Sequence, residues 1–137
     1  MGQQQLLLII LGVVIVGLAV SVAIVMYNDH LITANRDDVQ RDLVMITVKA
    51  QHYYYTPHSM AGGGNSFVGL TADAAGIGKL ISTEFSDNEN GTYSIQVAGV
   101  QDIVIVQGRG KVMLPDGTYP LYYCRVRARK YLMQEIN

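Results

Sequence analysis

The chain has no tryptophan, a single cysteine (Cys124) and only three prolines, at positions 57, 115 and 120. One cysteine excludes an intramolecular disulfide and leaves the redox compartment open. With no proline before Pro57, nothing in the first 56 residues forces a helix to stop. Charge is also missing at the start, since no Asp, Glu, Lys or Arg precedes Asp29. A secretory signal needs a basic leading segment and an apolar stretch of only about 7 to 15 residues. Met1-Gly2-Gln3-Gln4-Gln5 supplies no basic residue, and the apolar run behind it is longer. Over 137 residues the net charge is −1, which gives no bulk electrostatic reason to expect nucleic acid or an acidic substrate.

That apolar run is Leu6 to Val25, LLLIILGVVIVGLAVSVAIV, in which Ser21 is the one polar side chain. As an α-helix, twenty residues rise roughly 30 Å, the thickness of a bilayer's hydrocarbon core. Fifteen of the twenty are Leu, Ile or Val. Each favours insertion by about 0.3 to 0.6 kcal/mol, so the segment gains roughly 5 to 9 kcal/mol on leaving water. Lipid or other copies of the chain must cover it. Gly12, Gly17 and Ser21 are small residues that let a neighbouring helix approach closely.

Beyond Tyr27 the composition turns polar, yet Ile32, Val39, Leu43, Ile46, Ala50 and Tyr53 recur at helical spacing. Asn35, Arg36, Asp37, Asp38, Arg41, Asp42 and Lys49 fall between them and read as the solvated side. One continuous helix from about Gln4 to Tyr54 is therefore expected, closed by Tyr55-Thr56-Pro57. His58 to Gly69, with Gly62-Gly63-Gly64, reads as loop. Thr71 to Ser82 reads as a short helix.

From Asn90 the period becomes two. Asn90-Gly91 marks a tight turn, and Tyr93, Ile95 and Val97 alternate with polar residues. Ile103 to Val106 reads as a central strand buried on both faces, broken by Gly108 and Gly110 and resumed at Val112 to Leu114. Pro115-Asp116-Gly117 turns the chain. Along 118–128, Leu121, Tyr123, Arg125 and Arg127 share one face, and Tyr122, Cys124, Val126 and Ala128 the other. Residues 131–136 add an edge strand. The fold class is α+β: a long N-terminal helix, apolar then amphipathic, packed on a small antiparallel sheet. The expected division is a spine helix over 1–56, with 1–27 as its hydrophobic segment, and a globular head over 57–137.

Catalytic and ligand-binding patterns are weak. Gly76-Ile77-Gly78-Lys79-Leu80 has the look of a phosphate loop but lacks the Ser or Thr after Lys79 and the first glycine. His30, His52 and His58 show no metal-ligand spacing with one another or with Cys124. Asp87, Glu89 and Asp116 lie near turns, and turn chemistry accounts for them without calcium. No Ser/His/Asp or Cys/His set is apparent. Arg109, Lys111, Arg125, Arg127, Arg129 and Lys130 form a basic strip. A solvated strand face, or a neighbouring subunit's acidic residues, explains that strip better than nucleic acid does. The nine tyrosines are suited to packing helix on sheet while keeping a polar tip for water. Asn90-Gly91-Thr92 fits an N-glycosylation acceptor. No cofactor, no metal and no enzymatic activity are expected.

A long N-terminal helix, apolar in its first half and amphipathic in its second, followed by a loop and an antiparallel meander, resembles the type IV pilins. The resemblance covers the whole chain as architecture. That family carries a short basic leader ending in Gly and a Glu at the fifth mature position. With Met1 taken as the mature N-terminus, Gln5 occupies that place, able to hydrogen-bond a neighbour's N-terminus but not to neutralise it. The resemblance implies a structural filament subunit whose core is built from Gln5, Leu6, Leu8, Ile10, Gly12, Val14, Gly17, Ser21 and Ile24. Its implied partners are other copies of itself, the cytoplasmic membrane before assembly and a pilus assembly machinery. Its implied location is the cell surface. The alternative is a singly anchored periplasmic binding or secretion-accessory protein.

Overall fold

A computed structural model describes residues 2–137. Helix α1 runs over Gly2–Tyr55 without a break, as the absence of internal proline allows. The chain divides into two compact units between Thr33 and Ala34, inside α1 rather than at its end. The amphipathic part of the helix thus belongs to the head.

Within the first unit, Ser21 returns its hydroxyl to the carbonyl of Gly17 at 2.9 Å. Thr33 does the same to Asp29. Both residues satisfy themselves inside the helix and ask nothing of a partner.

Within the second unit, Val39, Leu43, Ile46, Ala50 and Tyr53 form the buried stripe of α1, as their spacing predicts. They meet a four-stranded antiparallel meander in the order β1-β2-β3-β4: β1 Gly91–Val97, β2 Val104–Gly110, β3 Leu121–Val126 and β4 Tyr131–Glu135. Tyr93 and Ile95 from β1, Val104 and Val106 from β2, and Tyr122, Cys124 and Val126 from β3 share the core with Phe67, Leu70, Ile77, Leu80 and Ile81 from the segment between α1 and β1. Strand alternation places Leu121, Tyr123 and Arg125 on the outer face, as expected.

Several expectations are corrected. Val104 and Val106 are buried, but Ile103 and Ile105 are only partly so; β2 therefore has one covered face, not two. Gly108 does not break β2, which runs on through it and ends at Gly110. The two glycines lie opposite Tyr93 and Gly91. A methyl group at Gly108 would sit 2.9 Å from Leu43 Cδ1, so glycine is there to let the strand lie close on α1. Residues 112–114 are loop. The helix expected over Thr71 to Ser82 shrinks to α2 Ala74–Gly78, and a further short helix that was not expected, α3 Thr83–Ser86, follows it. Asp73 caps α2 by accepting from Gly76 N–H at 2.9 Å, and Ser82 caps α3 by accepting from Phe85 N–H.

The glycine-rich loop has a definite job. It contains one 3-10 turn, His58–Met60, and folds back over the end of α1. Gly63 N–H donates to Tyr53 O at 2.8 Å and Asn65 N–H to Tyr54 O at 2.7 Å, which satisfies carbonyls that a helix end leaves orphaned. Gly64, at φ +57°, lies in the left-handed region that favours glycine.

Candidate functional site

The candidate assembly surface is the apolar half of α1. Every residue from Leu6 to Val25 is exposed, and an eighteen-residue window of this helix has none of its residues buried within the chain. Leu6, Leu8, Ile10, Val14 and Ile24 each show more than half of their surface. Gln5 is exposed in the same helix. Apart from the adjoining backbone of α1 itself, Gly12 and Gly17 have nothing within 4 Å of where a side chain would begin. The helix is long and apolar enough to cross a membrane.

Lys79, Asp87, Asp116 and Cys124 each make a contact within the head. Lys79 Nζ donates to Gly69 O at 2.6 Å. Lys111 pairs with Asp87 at 2.7 Å, and that contact holds the Asp87 carboxyl below its usual range. Asp116 accepts from the hydroxyl and N–H of Thr118, which likewise lowers its pKa. Cys124 is fully buried; burial pushes its thiol up, against a hydrogen bond with the Thr47 hydroxyl at 3.2 Å. Among the described residues no three His, Cys, Asp or Glu side chains converge as a metal would require.

A buried polar node went unread in the sequence. Asp42 and Asn35 belong to the inward stripe of α1, not to its solvated side. Asp42 Oδ2 accepts from the Tyr93 hydroxyl at 2.7 Å, from Asn90 Nδ2 at 3.0 Å and from Asn88 Nδ2 at 3.1 Å. Asn35 Nδ2 donates to Asn90 O at 2.7 Å, and Asn35 Oδ1 accepts from Val112 N–H. Asn88 Oδ1 in turn accepts from the N–H groups of Asn90 and Gly91. The node pins the entry of β1 to the helix. Burial, then the hydrogen bond to Asp42 and the charges of Asp42 and Asp38, push the Tyr93 phenol far above its ordinary value. The Asn90 amide nitrogen, where a glycan would attach, is committed to Asp42. The signal available in the sequence was position: Asn35, Val39 and Asp42 follow one another at spacings of four and three in register with the apolar stripe.

The chain was compared with family models, curated proteins and solved structures, and it matches none of them.

Proposed function

We propose that this protein is the repeating subunit of a type IV pilus-like surface filament and has no enzymatic role. The observation that carries the proposal is the apolar rod of Leu6 to Val25, uncovered on every side by its own chain. Before assembly the rod holds the subunit in the cytoplasmic membrane with the head outside; in the filament, sister rods bundle through it. Moving such a helix from lipid into a bundle exchanges one dry environment for another. The hydrophobic term then nearly cancels, and close packing together with contacts between heads decides the equilibrium. Gly12, Gly17 and Ser21 supply the close approach, and Gln5 offers a hydrogen bond to a neighbour's N-terminus without a countercharge.

The experiment is to shear cells producing the full chain and examine the released material by electron microscopy with an antibody against the head. Thin fibres labelled along their length support the proposal. A chain that stays in the membrane fraction as a dispersed, singly anchored protein overturns it.

A further inference from the structure

Charge is not mixed evenly in the head. Residues 103–137 carry six Lys or Arg against two Asp or Glu, while residues 34–102 carry four against eight. The densest basic group is the β3–β4 hairpin, where Arg127 N–H bonds Lys130 O at 2.8 Å and closes a turn on Ala128-Arg129. The ladder sets Arg125 opposite Leu132, which puts Arg127 and Lys130 opposite each other on the same face as Arg125. Like charges directly across a strand pair are destabilising. None of Arg125, Arg127, Arg129 or Lys130 is in an ion pair among the described residues, whose three pairs are Arg36–Glu135, Arg41–Asp38 and Lys111–Asp87. A hollow of about 260 Å³ opens beside them, lined by Arg125, Arg127, Lys130, Tyr131 and Leu132 and by no carboxyl group. Such a hairpin asks for an anionic partner.

The same head carries a matching surface. Glu84 in α3 and Asp87 and Glu89 in the segment entering β1 lie together in sequence. Asp87 bridges Thr92 of β1, and Lys111 is the one cation paired with the three. Glu84 and Glu89 are exposed. β1 and β4 are the two edges of the sheet. The register also places Gly91 at the end where Leu121 and Ile136 meet, and the hairpin at the end of Val126 and Tyr131. The acidic and basic groups therefore occupy diagonally opposite corners of one sheet. The β4 edge beside the hairpin is open. Lys130, Leu132, Gln134 and Ile136 bond back to β3, so the backbone groups of Tyr131, Met133 and Glu135 point outward.

We propose that the β3–β4 hairpin of one copy docks on the acidic segment entering β1 of the next copy. The two surfaces differ, so the contact is heterologous, and a heterologous contact that does not close on itself propagates as an open helical array. This rests on the filament reading and names the head-to-head contact within it. It also gives the unpaired hairpin cations their countercharge, at ranges where salt of physiological strength screens them little.

The test uses the full chain and measures the sedimentable polymer formed when detergent is removed. Arg127→Glu with Lys130→Glu is expected to lower polymer yield about tenfold, as like charges brought together at an interface do. Glu84→Lys with Glu89→Lys is expected to do the same, and all four substitutions together restore the yield to within about twofold. Should the reversed hairpin melt the head, Arg127→Gln with Lys130→Gln keeps the hairpin and is expected to lower the yield about threefold. Reversals that leave polymer yield unchanged overturn this contact and leave the filament reading standing. Loss at the hairpin without rescue by the fourfold variant also overturns it, and assigns the cations to a different anionic partner. A wild-type chain that forms no polymer removes both readings.

Discussion

Asp42 shows how much one side chain can organise. Its Oδ2 takes three donors, from Tyr93, Asn88 and Asn90, at the point where β1 begins. Replacing it by alanine strands the buried Tyr93 hydroxyl and frees the part-buried Asn88 and Asn90 amides, and a stranded buried donor costs about 1 to 3 kcal/mol. Asp42→Ala is expected to lose about 3 kcal/mol in total, because some of the amides turn to solvent. Thermal unfolding of the detergent-solubilised full chain checks this, with Asp37→Ala as the exposed comparison. Tyr93 gives the pH dependence. Its folded pKa is raised, so its contribution is complete below the unfolded value near 10 and is lost as pH climbs beyond that. Stability should therefore fall above about pH 10, and one proton fewer in the linkage flattens the slope by about 1.4 kcal/mol per pH unit. Tyr93→Phe should show that flatter slope in alkaline denaturation curves. Alternation marked Tyr93 as an inward strand position and spacing offered one for Asp42, but their pairing was not legible, since the partners of Asp42 arrive from 46 to 51 residues away.

At the scale of elements, periodicity carried most of the information. The stripe from Val39 to Tyr53 and the alternation from Leu121 to Val126 both follow from which face must leave water, and both are found where the spacing put them. Glycine was misread at Gly108, and its role within the loop went unseen at Gly63, because its meaning depends on what lies opposite. At Gly108 it admits Leu43 of α1, and at Gly63 it lets the loop reach the Tyr53 carbonyl. Neither neighbour is visible in a local window. The apolar half of α1 was the most legible element, as its need for cover is a matter of composition alone. Its glycines make a prediction. A Cβ at Gly17 meets nothing beyond the adjoining backbone of α1, so for Gly17→Leu membrane insertion and head stability should match wild type, whereas bundle packing should fail. Fibre counts beside membrane-fraction blots check this; wild-type fibre yield would contradict it.

For the whole molecule, the account joins a head that can satisfy itself to a rod that cannot. The head buries its core, and among the described residues every fully buried side-chain nitrogen and oxygen has a hydrogen-bond partner. The rod, Leu6 to Val25, is exposed throughout. Function was legible only as far as that inequality, because neither a pocket with convergent reactive groups nor a ligand motif accompanies it. The most direct measurement is sedimentation of the purified full-length chain after detergent is withdrawn in plain buffer. The account predicts that it leaves solution as ordered polymers. A stable, soluble monomer under those conditions would contradict it.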